Sequence, residues 1–476
     1  MPRTEILRCH AARRALWLLA AAGCGASPPP PATPPGASAP ATAAGESPTA
    51  TLNVPIQSMT LDNGLRVVLS RDTTAPVVAL AVYYGIGFRI EPRDRTGFAH
   101  LFEHMMFQGS QNLGKMEFIK MVQANGGILN GSTRFDFTNY FEVVPANTLE
   151  TMLWGEADRM RGLAVTQDNL TNQQGVVKSE VRVNVLNQPY GGFPWLDMPQ
   201  YANQNWHNAH NFYGDLTDLD HATLADVQSF FKQYYTPNNA ALVVSGDFDY
   251  AQATAWIKKY FGAIPRGPDP ARPDLSEPKQ TQEIRAEKTD PLADRPALAI
   301  AYHVPDRSTP EFYAFTLLNE ILLEGRDSAL FQHVVQDKKL TGEVEGGINL
   351  LGNAFDYAGP MLWIVSVMHD KDQTADQLVS AIDEVIERVR NQPITAAQLA
   401  RARVKVRARL YDMVEQFFGF GRADLLASFA LFDNDPAKLN RLEGELMKVT
   451  PELIQNTAAE YLRPTNRTIL QLKAGK

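Results

Sequence analysis

The body of this 476-residue chain has no cysteine. The only two, Cys9 and Cys24, fall in the first two dozen positions. Their absence elsewhere excludes a disulfide framework in the body. It also excludes thiolate-held zinc, haem or iron–sulfur centres and a cysteine nucleophile there. Positive charge is not in excess either. Lys and Arg total 45 against 53 Asp and Glu, a net charge of −8, so no nucleic acid is expected as a partner. Long apolar runs are missing too. The run at residues 15–22 is far shorter than the about 20 residues a membrane-spanning helix needs. No Gly-rich dinucleotide fingerprint appears. What is there, 44% hydrophobic and 21% charged residues, is a globular composition. The length suits two or three domains.

Arg3, Arg8, Arg13 and Arg14 precede or abut the short apolar run. A basic start and a short apolar core read as an export signal over residues 1–23. Ala21, Ala22 and Gly23 stand directly before Cys24. Small residues before a cysteine resemble the lipobox of bacterial lipoproteins. That resemblance implies lipidation of Cys24 and a membrane anchor in the periplasm. Gly25, which is not acidic, points weakly to the outer membrane. Residues 24–51 are rich in Pro, Ala, Ser and Thr and read as a tether.

From Leu52 onward the pattern is globular, and it repeats. A second proline-rich break at 265–280 divides the body into 52–264 and 281–476. Residues 76–82, PVVALAV, match 296–302, PALAIAY, at an offset of 220. Residues 234–243, YYTPNNAALV, match 461–470, YLRPTNRTIL, at an offset of 227. Two matches at nearly one offset predict duplicated domains. Apolar β-branched runs at 77–84 and 241–245 predict strands. Residues 218–235 predict a helix that ends before Pro237. Strands and amphipathic stretches interleave. The fold class is therefore α+β, two homologous domains, each a mainly antiparallel sheet covered by helices.

The chemistry concentrates at residues 96–109, TGFAHLFEHMMFQG. Thr96 suits a helix start and Gly109 a helix end. Phe98, Leu101, Phe102, Met105 and Met106 follow the spacing of one buried stripe. His100, Glu103 and His104 then share the other side. Two histidines one turn apart can hold one metal ion. Glu103 stands beside them, where a carboxylate could accept a proton from water.

This His-x-x-Glu-His order resembles the inverted-motif zinc peptidases, the family of pitrilysin, insulin-degrading enzyme and the mitochondrial processing peptidase. The resemblance covers both halves from Val54 onward. It implies a clamshell of the two domains around a cleft, one zinc ion per chain and a peptide or unfolded polypeptide as substrate. It implies zinc ligands His100 and His104, with Glu103 as the catalytic base. The family takes its third ligand from a glutamate roughly 75 residues downstream. Glu180 lies 76 positions after His104, in a segment QGVVKSEVR. The stretch 130–140, NGSTRFDFTNY, resembles the family's substrate-binding edge strand. There a peptide would add as a further strand beside Asn130 and Gly131. Gly131 stands where alanine is common, and Gln173 where many members have an acidic residue.

The second half departs further. An offset of 216, which aligns Gly109 with Gly325, puts Thr316, Asn319 and Glu320 opposite His100, Glu103 and His104. An offset of 229 puts Arg409 opposite Glu180. The second half is thus a copy without a metal site. Active members carry an Arg and, seven residues on, a Tyr in this half. Val335 and Gly342 stand there instead, and neither can donate a side-chain hydrogen bond. A related partner chain that supplies the pair, in a heterodimer, is the expectation. A non-catalytic or weakly active assembly subunit is the alternative. His207 and His210 form a lesser metal candidate. Residues 411–431, rich in Phe, read as core or interface. His303, His333 and His369 receive no role.

Overall fold

The computed structural model describes residues 51–475. The export signal, Cys24 and most of the tether lie outside the described residues. Among the described residues, eleven strands form two sheets. The first contains β1 (Gln57–Thr60), β2 (Arg66–Arg71), β3 (Val77–Tyr84), β4 (Ile128–Thr133), β5 (Thr138–Pro145) and β6 (Ala240–Gly246). The second contains β7 (Ile284–Asp290), β8 (Ala297–His303), β9 (Glu345–Ile348), β10 (Leu362–Met368) and β11 (Arg467–Ala474).

The strand orders are β1-β2-β6-β3-β5-β4 and β7-β11-β8-β10-β9. Without β1, one order maps onto the other. In each sheet one pair is parallel, β2 with β6 and β7 with β11, and the rest are antiparallel. The repeat read from residues 76–82 and 234–243 is therefore the sheet centre, β3 with β6 and β8 with β11. Residues 265–280 contain no helix or strand.

Strand alternation gives each sheet two apolar faces. On the first sheet, Val67, Leu80, Val82 and Leu242 face helix α1 (Phe98–Met105) and its neighbours. Val68, Ala81, Tyr83 and Val243 point the other way, into a core shared with the second half. Helix α5 (Phe420–Ser428) belongs to the second half and covers that face. In return, Met198 and Ala202 of the first half lie on Ala299, Ala301, Ile364 and Leu470 of the second sheet. Each half thus covers a face of the other's sheet.

Two expectations are corrected. The helix expected over 218–235 is two helices, Leu216–His221 and Leu224–Tyr234. Thr223 breaks it, because Thr223 and Asp226 form a reciprocal capping box that starts a new helix. Thr96 does not cap α1; its hydroxyl donates to Asp218 Oδ2 at 2.5 Å. Among the phenylalanines of 411–431, Phe429 is core and Phe420 stacks on Phe141. Phe417 and Phe418 are 57% and 70% exposed. Both have left-handed backbone, where helix α4 (Ala396–Glu415) turns into α5.

Candidate metal centre

Helix α1 starts at Gly97, whose φ of 81° is left-handed. A side chain there would be strained, and its Cβ would approach the Tyr213 carbonyl oxygen to 3.1 Å. The free N–H groups of the first turn find a carboxylate instead of Thr96. Glu91 accepts from Gly97 N at 2.9 Å and from Ala99 N at 2.5 Å. Burial pushes Glu91 up to about 8, against the lowering effect of those two N–H groups. Phe98, Leu101, Phe102, Met105 and Met106 are all buried, as their spacing predicts. Each contributes roughly 1.5–3 kcal/mol by leaving water.

The other side of α1 meets helix α2 (Gln167–Val181). Glu180 in its last turn reaches both histidines. His104 Nε2 lies 3.2 Å from Glu180 Oε2, and His100 Nε2 lies 3.8 Å from Oε1. The two imidazole rings are 5.0 Å apart and nearly perpendicular. One donor atom from each of His100, His104 and Glu180 lies within 4.8 Å of the others. Among the described residues no other group of three His, Cys, Asp or Glu side chains converges in this way. Two imidazoles and one carboxylate, with room for water, are the donor set of a catalytic zinc site. The residues fit the ion.

Burial and the neighbouring charges act differently on the three side chains. Burial holds His100 below its usual value, which favours the neutral imidazole that a metal needs. Burial also acts against charge on His104, but Glu180 and Glu103 outweigh it and raise its pKa. Burial likewise opposes charge on Glu180, yet the two histidines hold it below the ordinary glutamate value. Gln173, about two turns before Glu180 on α2, is the further partner of His104.

Glu103 sits between α1 and the sheet edge. Thr133 Oγ1 donates to Glu103 Oε2 at 2.7 Å. Thr133 ends β4, and β4 is the outermost strand of its sheet. Asn130 is exposed on that strand, and Gly131 is buried. A Cβ at Gly131 would approach Tyr140 Cδ1 to 3.1 Å. Tyr140 in turn donates to the Phe102 carbonyl of α1 at 3.1 Å, so strand and helix are tied. Sequence reasoning assigned no role to Glu91, Thr133 or Tyr213. Thr133 lay within the expected edge strand, with nothing to single it out. Glu91 and Tyr213 carry no periodic or spacing signal.

The second half shows what became of the copy. Helix α3 (Pro310–Leu322) carries Glu320, and α4 carries Arg409. Arg409 Nη2 lies 3.1 Å from Glu320 Oε2. The alignment set these two opposite His104 and Glu180, and they meet as that pair does. An ion pair, joined by Lys405 at 3.1 Å from Glu320, stands where the first half has its ligands. Asn319, opposite Glu103, accepts from Trp363 Nε1 at 2.7 Å.

The lesser histidine candidates are structural. His207 Nδ1 bonds the Arg89 carbonyl at 2.8 Å, and His210 Nδ1 the Trp206 carbonyl at 3.0 Å. They converge with no third ligand among the described residues. His303 bonds the Ala202 carbonyl, and His333 bonds Glu384.

An α+β repeat with one two-histidine, one-glutamate centre defines a class of metallopeptidase. Comparison with known proteins gives the family. Residues 66–208 match the family described as insulinase, peptidase family M16. Residues 221–405 match the peptidase M16 inactive domain. The chain belongs to this pitrilysin-like M16 family. It is 27% identical to the zinc protease PqqE of Helicobacter pylori, over 88% of this chain and 92% of that one. A crystal structure of a protease from Helicobacter pylori superposes with a TM-score of 0.79 at 26% identity. That match covers 88% of this chain and 99% of that one. The periplasmic protease PqqL of Escherichia coli shares the fold, with a TM-score of 0.72 at 17% identity. There the match covers 89% of this chain but only 48% of the other.

Proposed function

We propose that the chain is a zinc endopeptidase for peptides or unfolded polypeptide segments. The observation that carries the reading is the convergence of His100, His104 and Glu180 beside Glu103. One zinc ion would be held by those three side chains; when bound, it polarises a carbonyl and acidifies water. The residues of the chain do the rest. Among the described residues no strand lies outside β4, so an extended peptide can add there as a further strand. Asn130 and Gly131 lie on that strand, and its last residue touches Glu103. The bond from Thr133 occupies Oε2 of Glu103. Oε1 is then free to accept the proton of the attacking water. The same carboxyl delivers the proton to the leaving amine.

A second, related unit completes the site in this reading. Val335 and Gly342 give no side-chain hydrogen-bond donor, and a Cβ at Gly342 would meet open space. The long PqqL chain, of which this one matches about half, supports a paired arrangement. Export and lipidation at Cys24 would place the pair on a membrane in the periplasm. Release of a Cys24→Ser variant from the membrane fraction tests that anchor.

The decisive test compares the wild type with Glu103→Gln. The variant should bind one zinc per chain and lose cleavage of a peptide mixture by at least about 10³-fold. Each protein is assayed with and without a co-expressed partner chain. Wild-type turnover by the variant would sink the reading.

A further inference from the structure

The second half supplies no side-chain hydrogen-bond donor at the positions of Val335 and Gly342, but the first half offers one. Tyr213 lies in the turn between the helices Trp206–Ala209 and Leu216–His221. Its ring rests against the ligand His100, with centroids 5.3 Å apart and planes tilted by 54°. Phe88 at 6.0 Å and Trp195 at 5.6 Å meet the ring edge-on. Its backbone N–H donates to Asn211 Oδ1 at 3.0 Å. The ring is therefore held on three sides and is only half-buried. The phenol lies within the electrostatic reach of Glu180, one of the three donors of the centre, of Glu103 and of Arg134. Nearby Tyr140 has its hydroxyl committed to the Phe102 carbonyl. No such bond to the described residues is seen for Tyr213.

From this placement we infer that Tyr213 is a catalytic residue whose hydroxyl donates a hydrogen bond to the scissile carbonyl oxygen as that oxygen gains charge. The inference rests on the peptidase reading and adds a role within it. As the water oxygen bonds to the carbonyl carbon, the C=O π pair moves onto oxygen. The phenol keeps its proton throughout and only donates a hydrogen bond. Proton transfer stays with Glu103. A preorganised donor aimed at developing charge acts on the transition state more than on bound substrate. A fixed phenol against His100 would supply, from this chain, part of what the missing pair would give.

Tyr213→Phe keeps the ring contacts and removes only the hydroxyl. Three measurements should be made on wild type and Y213F. They are zinc content, kcat and KM on an unstructured fluorogenic peptide, and inhibition by a phosphinic peptide that mimics the tetrahedral species. Zinc content and KM should stay within about twofold. The value of kcat should fall about 100-fold, and phosphinate affinity should weaken by a similar factor. Unchanged kcat and phosphinate affinity in Y213F would overturn the inference. So would zinc loss in Tyr213→Ala beside a fully active Y213F, which marks a packing role. If wild type cleaves nothing, with or without a partner, the peptidase reading fails on its own. Phosphinate binding by wild type and Y213F then still decides the matter for Tyr213, and no binding by wild type overturns both.

Discussion

At the scale of single residues, Thr133 acts on Glu103. Its bond to Glu103 Oε2 orients the carboxylate and leaves Oε1 to work. Thr133→Val keeps the shape and deletes the donor. It should lower kcat about tenfold while zinc content holds, given the usual strength of a hydrogen bond to a charged group. Steady-state kinetics with metal analysis checks it. A variant with unaltered kcat would show that the bond is idle. The ligands themselves are easier to find in the sequence than such supports. His100, Glu103 and His104 lie on one helix, so the 3.6-residue period alone groups them. Glu180 needs a family spacing as well, since nothing within α2 marks it. Thr133, Glu91 and Tyr213 reach the centre through tertiary folding, which a single sequence does not display.

At the scale of elements, β3 was read with its true bounds, because eight apolar residues in a row have no helical period to compete. Helix starts were harder. A cap can come from outside the local sequence, as Glu91 caps α1, or interrupt a good pattern, as Thr223 does. The short helix Trp206–Ala209 is another case, where two histidines that looked like ligands hold a turn instead. Its neighbour His210 stacks on Trp206 with centroids 4.2 Å apart. Burial holds that imidazole down to about 4, from a usual 6.5. Between those values the unfolded chain binds a proton that the folded one does not. Stability should therefore be complete above about pH 6.5 and decline as pH falls toward 4, by up to about 3 kcal/mol. His210→Gln should flatten that decline, even if it lowers stability at neutral pH. Denaturant melts at intervals from pH 4 to 7 would show it. An unchanged slope in the variant would mean that other groups set it.

At the scale of the whole molecule, the sequence repeat gave two like units, but not how they cover each other. That pattern depends on contacts between residues hundreds of positions apart. Tyr83 of the first sheet donates to Asp424 of α5 at 2.6 Å. Arg422 of α5 pairs with Asp72 at 2.8 Å. Asp136 accepts from Ala358 N at 2.8 Å. Around these polar links runs one apolar core that includes Tyr83, Val243, Leu426 and Trp363. A half on its own would expose that face to water, so neither half should fold well alone. The linker also docks, since Arg272 donates to the Gly85 carbonyl at 2.5 Å and to Asn239 Oδ1 at 2.6 Å. Cutting the chain should therefore leave the fold intact. A protease site inserted between Gly267 and Asp269, and cut after folding, should give two fragments that co-elute as one species. They should part only in denaturant, in a single transition, because burial of the shared core holds them rather than the peptide link. Fragments that separate on a sizing column in native buffer would refute the shared core.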